Sequence, residues 1–102
     1  MSTLVVERDV FAKAVNFSAD SLTVQLDDGR LLSIPLTWYP RLLHGTPAER
    51  ARFELIGDGE GIHWPDLNED ISVEGLLAGR RSVESDQSLA KWLAQRGKQT
   101  AH

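Results

Sequence analysis

Alternation of apolar and polar residues marks the clearest predicted strand of the chain, at residues 22–26. A period of two is typical of a strand with one buried face. Residues 27–29 (DDG) follow it, and Asp-Gly between two strand patterns indicates a hairpin. The pattern returns over residues 30–36, where Pro35 indicates a strand end or a sheet edge because proline cannot donate to a ladder. An apolar stretch at residues 10–17 predicts a strand before these two. The predicted inward positions of the two alternating strands are Leu22, Val24, Leu26, Leu32, Ile34 and Leu36.

The periodicity then changes from that of a strand to that of helices. Residues 37–45 predict a short helix that ends at Gly45. Thr46, Pro47 and Glu49 have the spacing of a capping box with proline at the first helical position, so a second helix is expected from Pro47 to about Phe53.

Short extended pieces are predicted at residues 54–57 and 61–64, around a glycine turn, and residues 66–70 are predicted to be loop. A last short helix of the domain is expected at residues 72–79, with Ser72 as its cap. Its apolar stripe is predicted to be Val73, Leu76 and Leu77.

The segment after Gly79 predicts a linker and one small amphipathic helix. Residues 80–87 are polar, and Ser88–Arg96 is expected to form about two and a half helical turns. A helix of this length is marginal alone in water, so it must dock on its own domain, on a second copy or on another protein. The second alternative predicts a symmetric homodimer. The face that would dock consists of Leu89, Trp92 and Leu93.

These elements predict an α+β fold: a three-stranded antiparallel β-meander with short helices packed on one face, plus a C-terminal amphipathic helix. The predicted domain is residues 1–79, and residues 80–102 form the linker and helical tail. Trp38 and Trp64 are expected in the core.

Composition limits the class of protein. The chain has 102 residues, 41% of them hydrophobic and 25% charged, which suits one small globular domain. It has no cysteine, which excludes disulfides and thiolate metal sites and fits a reducing compartment. The sequence shows neither an apolar run of about 20 residues nor the basic and apolar regions of a signal peptide. We therefore expect a cytoplasmic protein with no membrane contact.

The net charge of −4 hides an asymmetry along the chain. Residues 1–78 carry thirteen acids and six bases, whereas residues 79–102 carry two acids and five bases. The acidic body argues against nucleic-acid binding and suits a basic protein partner. A DNA-associated regulator is an alternative that would use the basic tail, namely Arg80, Arg81, Lys91, Arg96 and Lys98.

Candidate chemistry concentrates in residues 57–74, which hold six carboxylates, one histidine and one tryptophan. An enzyme or metal centre on His63 and neighbouring carboxylates is therefore a second alternative. Against it, alternation along a strand would place His63 opposite Ile62 and Trp64, near solvent. The segment also lacks calcium-loop spacing, and its glycines suit a turn better than a phosphate cradle. We expect no catalytic residue, cofactor or metal.

Four segments have a distinctive sequence: PLTWYPRL at residues 35–42, AER at 48–50, GDGEGIHWPDL at 57–67 and NEDISVEGLLAG at 68–79. Together they resemble the bacterial domain-of-unknown-function family 2442. The resemblance spans roughly residues 8–79 and implies a small α+β domain without an established activity. Some members look like antitoxin partners of small toxins encoded beside them. Others carry a C-terminal helix-turn-helix domain, for which the single helix after residue 80 is too short.

The leading hypothesis is thus an uncharacterised protein-interaction module without catalytic activity of its own, antitoxin-like in its concrete form. Its partner would be an unknown protein, with a small basic toxin as the specific case. The predicted interaction surface consists of Asp58, Glu60, His63, Asp66, Glu69, Asp70, Glu74, Leu89, Trp92 and Leu93.

Overall fold

Two three-stranded antiparallel sheets frame the molecule in the computed structural model, which describes residues 10–100, with side chains described to Gly97. The first sheet is the predicted meander, with strand order β1-β2-β3. Its strands are β1 (Ala12–Phe17), β2 (Ser21–Leu26) and β3 (Leu31–Pro35). Alternation buries Leu22, Val24 and Leu26 completely, as their pattern predicts.

The second sheet has the order β4-β5-β6. Its strands are β4 (Glu54–Ile56), β5 (Gly61–Trp64) and β6 (Glu69–Ser72), and a 3₁₀ turn at Gly57–Gly59 links the first two. The prediction of loop at residues 66–70 is wrong for Glu69 and Asp70, which belong to β6. Acidic residues have low strand propensity, but pairing with β5 overrides it here.

The helices are shorter than their patterns predict before residue 80. The single helix expected at residues 37–45 is a 3₁₀ turn at Leu36–Trp38 followed by α1 (Pro40–Leu43). The break lies at Tyr39, with φ −131° and ψ 86°, because the residue before a proline avoids helical backbone.

Both predicted helix caps are present. In α2 (Pro47–Ala51) the Thr46 side chain accepts from the Glu49 N–H and the Glu49 side chain accepts from the Thr46 N–H. The Ser72 hydroxyl accepts from the Gly75 N–H at 2.9 Å and caps α3 (Val73–Leu77). These local bonds satisfy N–H groups that a helix start leaves unpaired.

The tail helix is longer than predicted. Helix α4 (Asp86–Thr100) has 15 residues, beginning before Ser88 and continuing past Arg96. Gly97 does not end it, since the flanking glutamine and lysine residues favour helix. Within residues 10–100, every helix falls short of the length and apolar character that a bilayer crossing requires.

One buried cluster joins both sheets to the helices. Trp64 is its largest side chain without exposed surface, as expected for a core residue. Its indole Nε1 donates to the Arg50 carbonyl at 3.0 Å, and its ring packs edge-on against Phe17 at 6.1 Å. Trp38 is only half-buried, and the Arg81 guanidinium lies 4.4 Å above its ring. The other completely or almost completely buried large side chains are Leu22, Leu26, Leu36, Leu42, Ile62, Leu67, Val24 and Val73.

Candidate functional site

A row of polar side chains crosses the outer face of the second sheet. The register places Glu54 opposite His63, and His63 opposite Asp70. Successive side chains on a strand point to opposite faces, so this row lies on the side away from buried Ile62 and Trp64. The His63 imidazole contacts the Asp70 carboxylate through Nδ1, with 29% of its side chain exposed. The predicted outward position of His63 is confirmed.

The structure brings few potential metal ligands together around His63, on which the alternative hypothesis of a metal site depends. A metal centre needs several donors that converge on one point. His63 contacts one carboxylate, and within residues 10–100 no group of three or more His, Asp or Glu residues is placed to hold an ion. The outer face therefore presents an imidazole–carboxylate pair rather than a ligand cage.

Uncompensated negative charge is the main electrostatic property of this sheet. Residues 54–74 contain seven carboxylates and no lysine or arginine. Arg52, which precedes this segment in the sequence, forms a salt bridge with Asp66 at 3.1 Å. Four carboxylates are exposed and form no ion pair with any residue that the structure describes, namely Glu54, Asp58, Glu60 and Glu74. Of the predicted surface acids, Asp58, Glu60 and Glu74 are thus exposed and carry negative charge that is unpaired within the described residues.

Glu69 differs from the other predicted acids because it does not share their face. It pairs with Trp64 and lies on the same side of β6 as Ile71, toward the core. The carboxylate is half-buried and accepts no hydrogen bond from the described residues. Burial raises its pKa to about 7; the Arg41 charge opposes that rise, and Glu84 and Asp70 add to it. Sequence reasoning placed Glu69 in a loop and so missed this position.

A cleft of about 410 Å³ opens in front of Glu69, between β6 and residues 80–84. Arg41 lies along it, bound through Nη2 to the Glu84 carboxylate at 2.7 Å and through Nη1 to the Leu67 carbonyl at 3.2 Å. The Tyr39 hydroxyl donates to the Arg80 carbonyl at 2.7 Å. Burial raises the pKa of Tyr39, and Glu69 adds to the rise. The predicted linker is therefore held against the domain by side chains more than 40 residues away in sequence.

The tail helix docks on its own domain, one of the three alternatives open from the sequence. Trp92 packs against the buried cluster, and the guanidinium groups of Arg41 and Arg96 lie 4.9 Å and 4.7 Å from the centroid of its ring. Arg96 pairs with Glu49 at 2.7 Å, and this hydrogen-bonded pair lowers the pKa of Glu49 to about 2. Leu89 and Leu93 are half-buried. One of the tail cations proposed for DNA contact, Arg96, is thus engaged within the domain.

Removing the Trp92 side chain tests this docking. We expect Trp92→Ala to lower the free energy of unfolding by about 1–2 kcal/mol, because half-buried apolar area and two cation–π contacts are lost. Amide hydrogen exchange over residues 86–97 should accelerate more than exchange in β2. Lys91→Ala, which changes an exposed neighbour on the same helix, is the control. Equal exchange in the two variants would contradict the docked position.

The raised pKa of Glu69 predicts that the stability of the protein falls as the pH rises, which is opposite to the effect of a carboxylate with a lowered pKa. Its folded pKa of about 7 exceeds the ordinary value of 4.5, so between these pH values the folded state keeps a proton that the unfolded state has lost. The contribution of Glu69 to the free energy of unfolding is therefore complete below pH 4.5. It falls by about 1–2 kcal/mol, after solvent screening, as the pH rises to 7. Urea unfolding at several pH values should show this fall in the wild type and in Glu74→Gln. It should be absent in Glu69→Gln, and parallel curves for all three proteins would contradict the assignment.

Comparison with known families gives a match over residues 12–82 to the model of DUF2442, described as a protein of unknown function. The chain belongs to this family. The DUF2442 match includes both sheets and the cleft wall at Arg80, Arg81 and Ser82, and it ends before α4.

Two solved structures share the fold of this DUF2442 chain. One, a protein of unknown function from Rhodospirillum rubrum, is 24% identical, with a TM-score of 0.65 over 76% of this chain and 95% of its own. The other, an uncharacterized protein from Chromobacterium violaceum, is 26% identical, with a TM-score of 0.62 over 84% of this chain and 75% of its own. No curated protein matches the chain.

Proposed function

We propose that this DUF2442 chain is a protein-interaction module that holds a basic segment of a partner on the outer face of β4, β5 and β6. The observation that carries this proposal is the absence of lysine and arginine from residues 54–74, where seven carboxylates are present. Exposed like charges repel each other, and a partner that brings cations relieves that repulsion.

The edge of the sheet supports the same interpretation. Strand β4 is an edge strand, and all three of its residues are exposed, including Leu55 at 40% and Ile56 at 48%. Exposed apolar side chains beside a charged surface are typical of contact sites. The carboxylates set the charge of the partner. Ile56, which lies on the same face of β4 as Glu54, contributes apolar area that a bound segment covers.

Binding to a basic peptide tests the proposal. The probe is a lysine- and arginine-rich peptide, with a matched peptide in which glutamine replaces every basic residue. We expect the double variant Glu54→Gln/Glu60→Gln to bind the basic peptide about 5-fold more weakly than the wild type, since each exposed charge pair contributes up to about 1 kcal/mol. Affinity should also fall with added salt.

The control is Asp20→Asn/Asp28→Asn, which removes the same number of carboxylates from the two turns that join the strands of the first sheet. It should bind as the wild type does. Equal loss of affinity in both double variants would show that the net charge of the protein, rather than this face, binds the peptide. An affinity that does not change with salt concentration would also contradict the proposal.

An antitoxin-like role is the concrete form of the proposal. A small basic toxin would place its cations on the acidic face and lose access to its own target. The test is co-expression with the product of the neighbouring reading frame, followed by measurement of stoichiometry and of host growth. We expect a defined complex that Glu54→Gln/Glu60→Gln weakens, and a basic neighbour that does not co-purify would contradict this form.

A further inference from the structure

The cleft in front of Glu69 holds charges of both signs that are not paired with each other. Glu69 forms no ion pair with a described residue. Arg80 and Arg81 line the same cleft, and neither forms a salt bridge with the described carboxylates. Arg81 stacks on Trp38, which leaves the edge of its guanidinium without a carboxylate.

The remaining charged groups around the cleft are already satisfied. Arg41 and Glu84 form a bidentate pair with both side chains less than a fifth exposed, at 16% and 10%. Asp70 contacts His63. Among the charged residues that line the cleft, Glu69, Arg80 and Arg81 are therefore the ones without a described ion-pair partner.

Size and polarity fit a small polar molecule. A volume of about 410 Å³ lies at the lower end of the range for ligand sites. The uncharged polar residues of the lining are Tyr39, Asn68, Ser72, Ser82 and Ser88, and Ile71, Gly75 and Val83 complete it. These groups suit a ligand that carries charge at its ends and bonds to hydroxyls between them.

We propose that this cleft binds a small zwitterion, an amino acid or ω-amino acid, with its ammonium group on Glu69 and its carboxylate on Arg80 and Arg81. A simple amine would satisfy Glu69 and leave the guanidiniums unpaired. A simple carboxylate would pair with the guanidiniums and leave Glu69 unpaired. A molecule with both groups satisfies both ends of the cleft and brings no net charge. The ammonium end of the site differs from the proposed partner face, because Glu69 lies on the other side of β6, although Asp70 of that face also lines the cleft.

Proton release is a signature of this arrangement. At pH 7 the Glu69 carboxyl is about half protonated, and an ammonium ligand favours its ionised form. The Arg41 charge also favours the ionised form of Glu69, whereas Asp70 and Glu84 favour its protonated form. Binding at pH 7 should therefore release about half a proton, and binding at pH 9 should release almost none.

The experiment is a titration of the full chain, followed by NMR chemical shifts and by calorimetry in two buffers of different ionisation enthalpy. The probes are glycine, 4-aminobutanoate and 6-aminohexanoate, with butylammonium and butyrate as singly charged controls. We expect at least one zwitterion to bind about 10-fold more tightly than either control, in the millimolar range that so few atoms allow.

Variants assign the binding to the cleft. Glu69→Gln and Arg80→Gln should each abolish the 10-fold preference, and Glu69→Gln should also abolish proton release. Glu74→Gln, on the neighbouring helix turn, should retain both, and NMR spectra check that each variant is folded. Equal binding of the singly charged probes, unchanged binding by Glu69→Gln, or no shift at about 50 mM, well above the Kd range expected for so few atoms, would overturn the proposal.

Discussion

Trp64→Ala is expected to lower the free energy of unfolding by about 3–5 kcal/mol, a large part of the total stability of a domain of this size. The indole is completely buried, packs on Phe17 and Phe53, and donates to the Arg50 carbonyl. Alanine leaves a cavity in the core and removes the donor to the Arg50 carbonyl of α2. Urea unfolding measured by circular dichroism gives the value.

Two further variants separate the causes. Trp64→Phe keeps an aromatic ring and loses the hydrogen bond, so it should cost less than Trp64→Ala by about 2 kcal/mol. Leu31→Ala removes a side chain that is 65% exposed, and its effect should stay within about 0.5 kcal/mol. A Trp64→Ala protein as stable as Leu31→Ala would show that Trp64 is not central to the core.

Gly59→Ala is expected to destabilise the protein by about 3–5 kcal/mol. The φ of Gly59 is +107°, where a side chain is strained by about 1–2 kcal/mol. A Cβ there would also overlap the Ala12 carbonyl oxygen and lie 3.0 Å from the Ala12 nitrogen. Since those atoms are backbone of β1, the turn and the strand must separate, at a cost of about 1–3 kcal/mol more.

Gly79→Ala is the matched control for this clash. Its φ is +74°, and a Cβ added there would meet no described atom within 4 Å. It should lose only the backbone strain, about 1–2 kcal/mol. Thermal unfolding of both variants gives the difference, and equal effects would show that the approach of Gly59 to Ala12 contributes nothing to stability.

Features that depend on neighbours in sequence were predictable. The capping box at Thr46, the Ser72 cap and the Asp28-Gly29 hairpin each involve hydrogen bonds within a few residues. The alternation at residues 22–26 also sufficed to predict its buried face, because one side of the strand is entirely apolar.

Features that depend on pairing between residues distant in sequence were not predictable from the sequence. Strand β6 exists because β5 supplies its hydrogen-bonding partner, and the sequence of Glu69 and Asp70 alone does not favour a strand. The same register divides the predicted acidic surface, sending Asp70 outward and Glu69 toward the core. The cleft likewise depends on Arg41 and Glu84, which are 43 residues apart.

The sequence by itself determined the family, the α+β class, the first sheet, the helix caps and the excess of acid in residues 54–74. Only the tertiary structure decided which carboxylate is buried, where the Trp92 helix docks and that unpaired charges of both signs share one cleft. The physical reason is that local hydrogen bonds and side-chain alternation are encoded by adjacent residues. Burial and charge pairing, in contrast, are set by segments that meet only after the chain has folded.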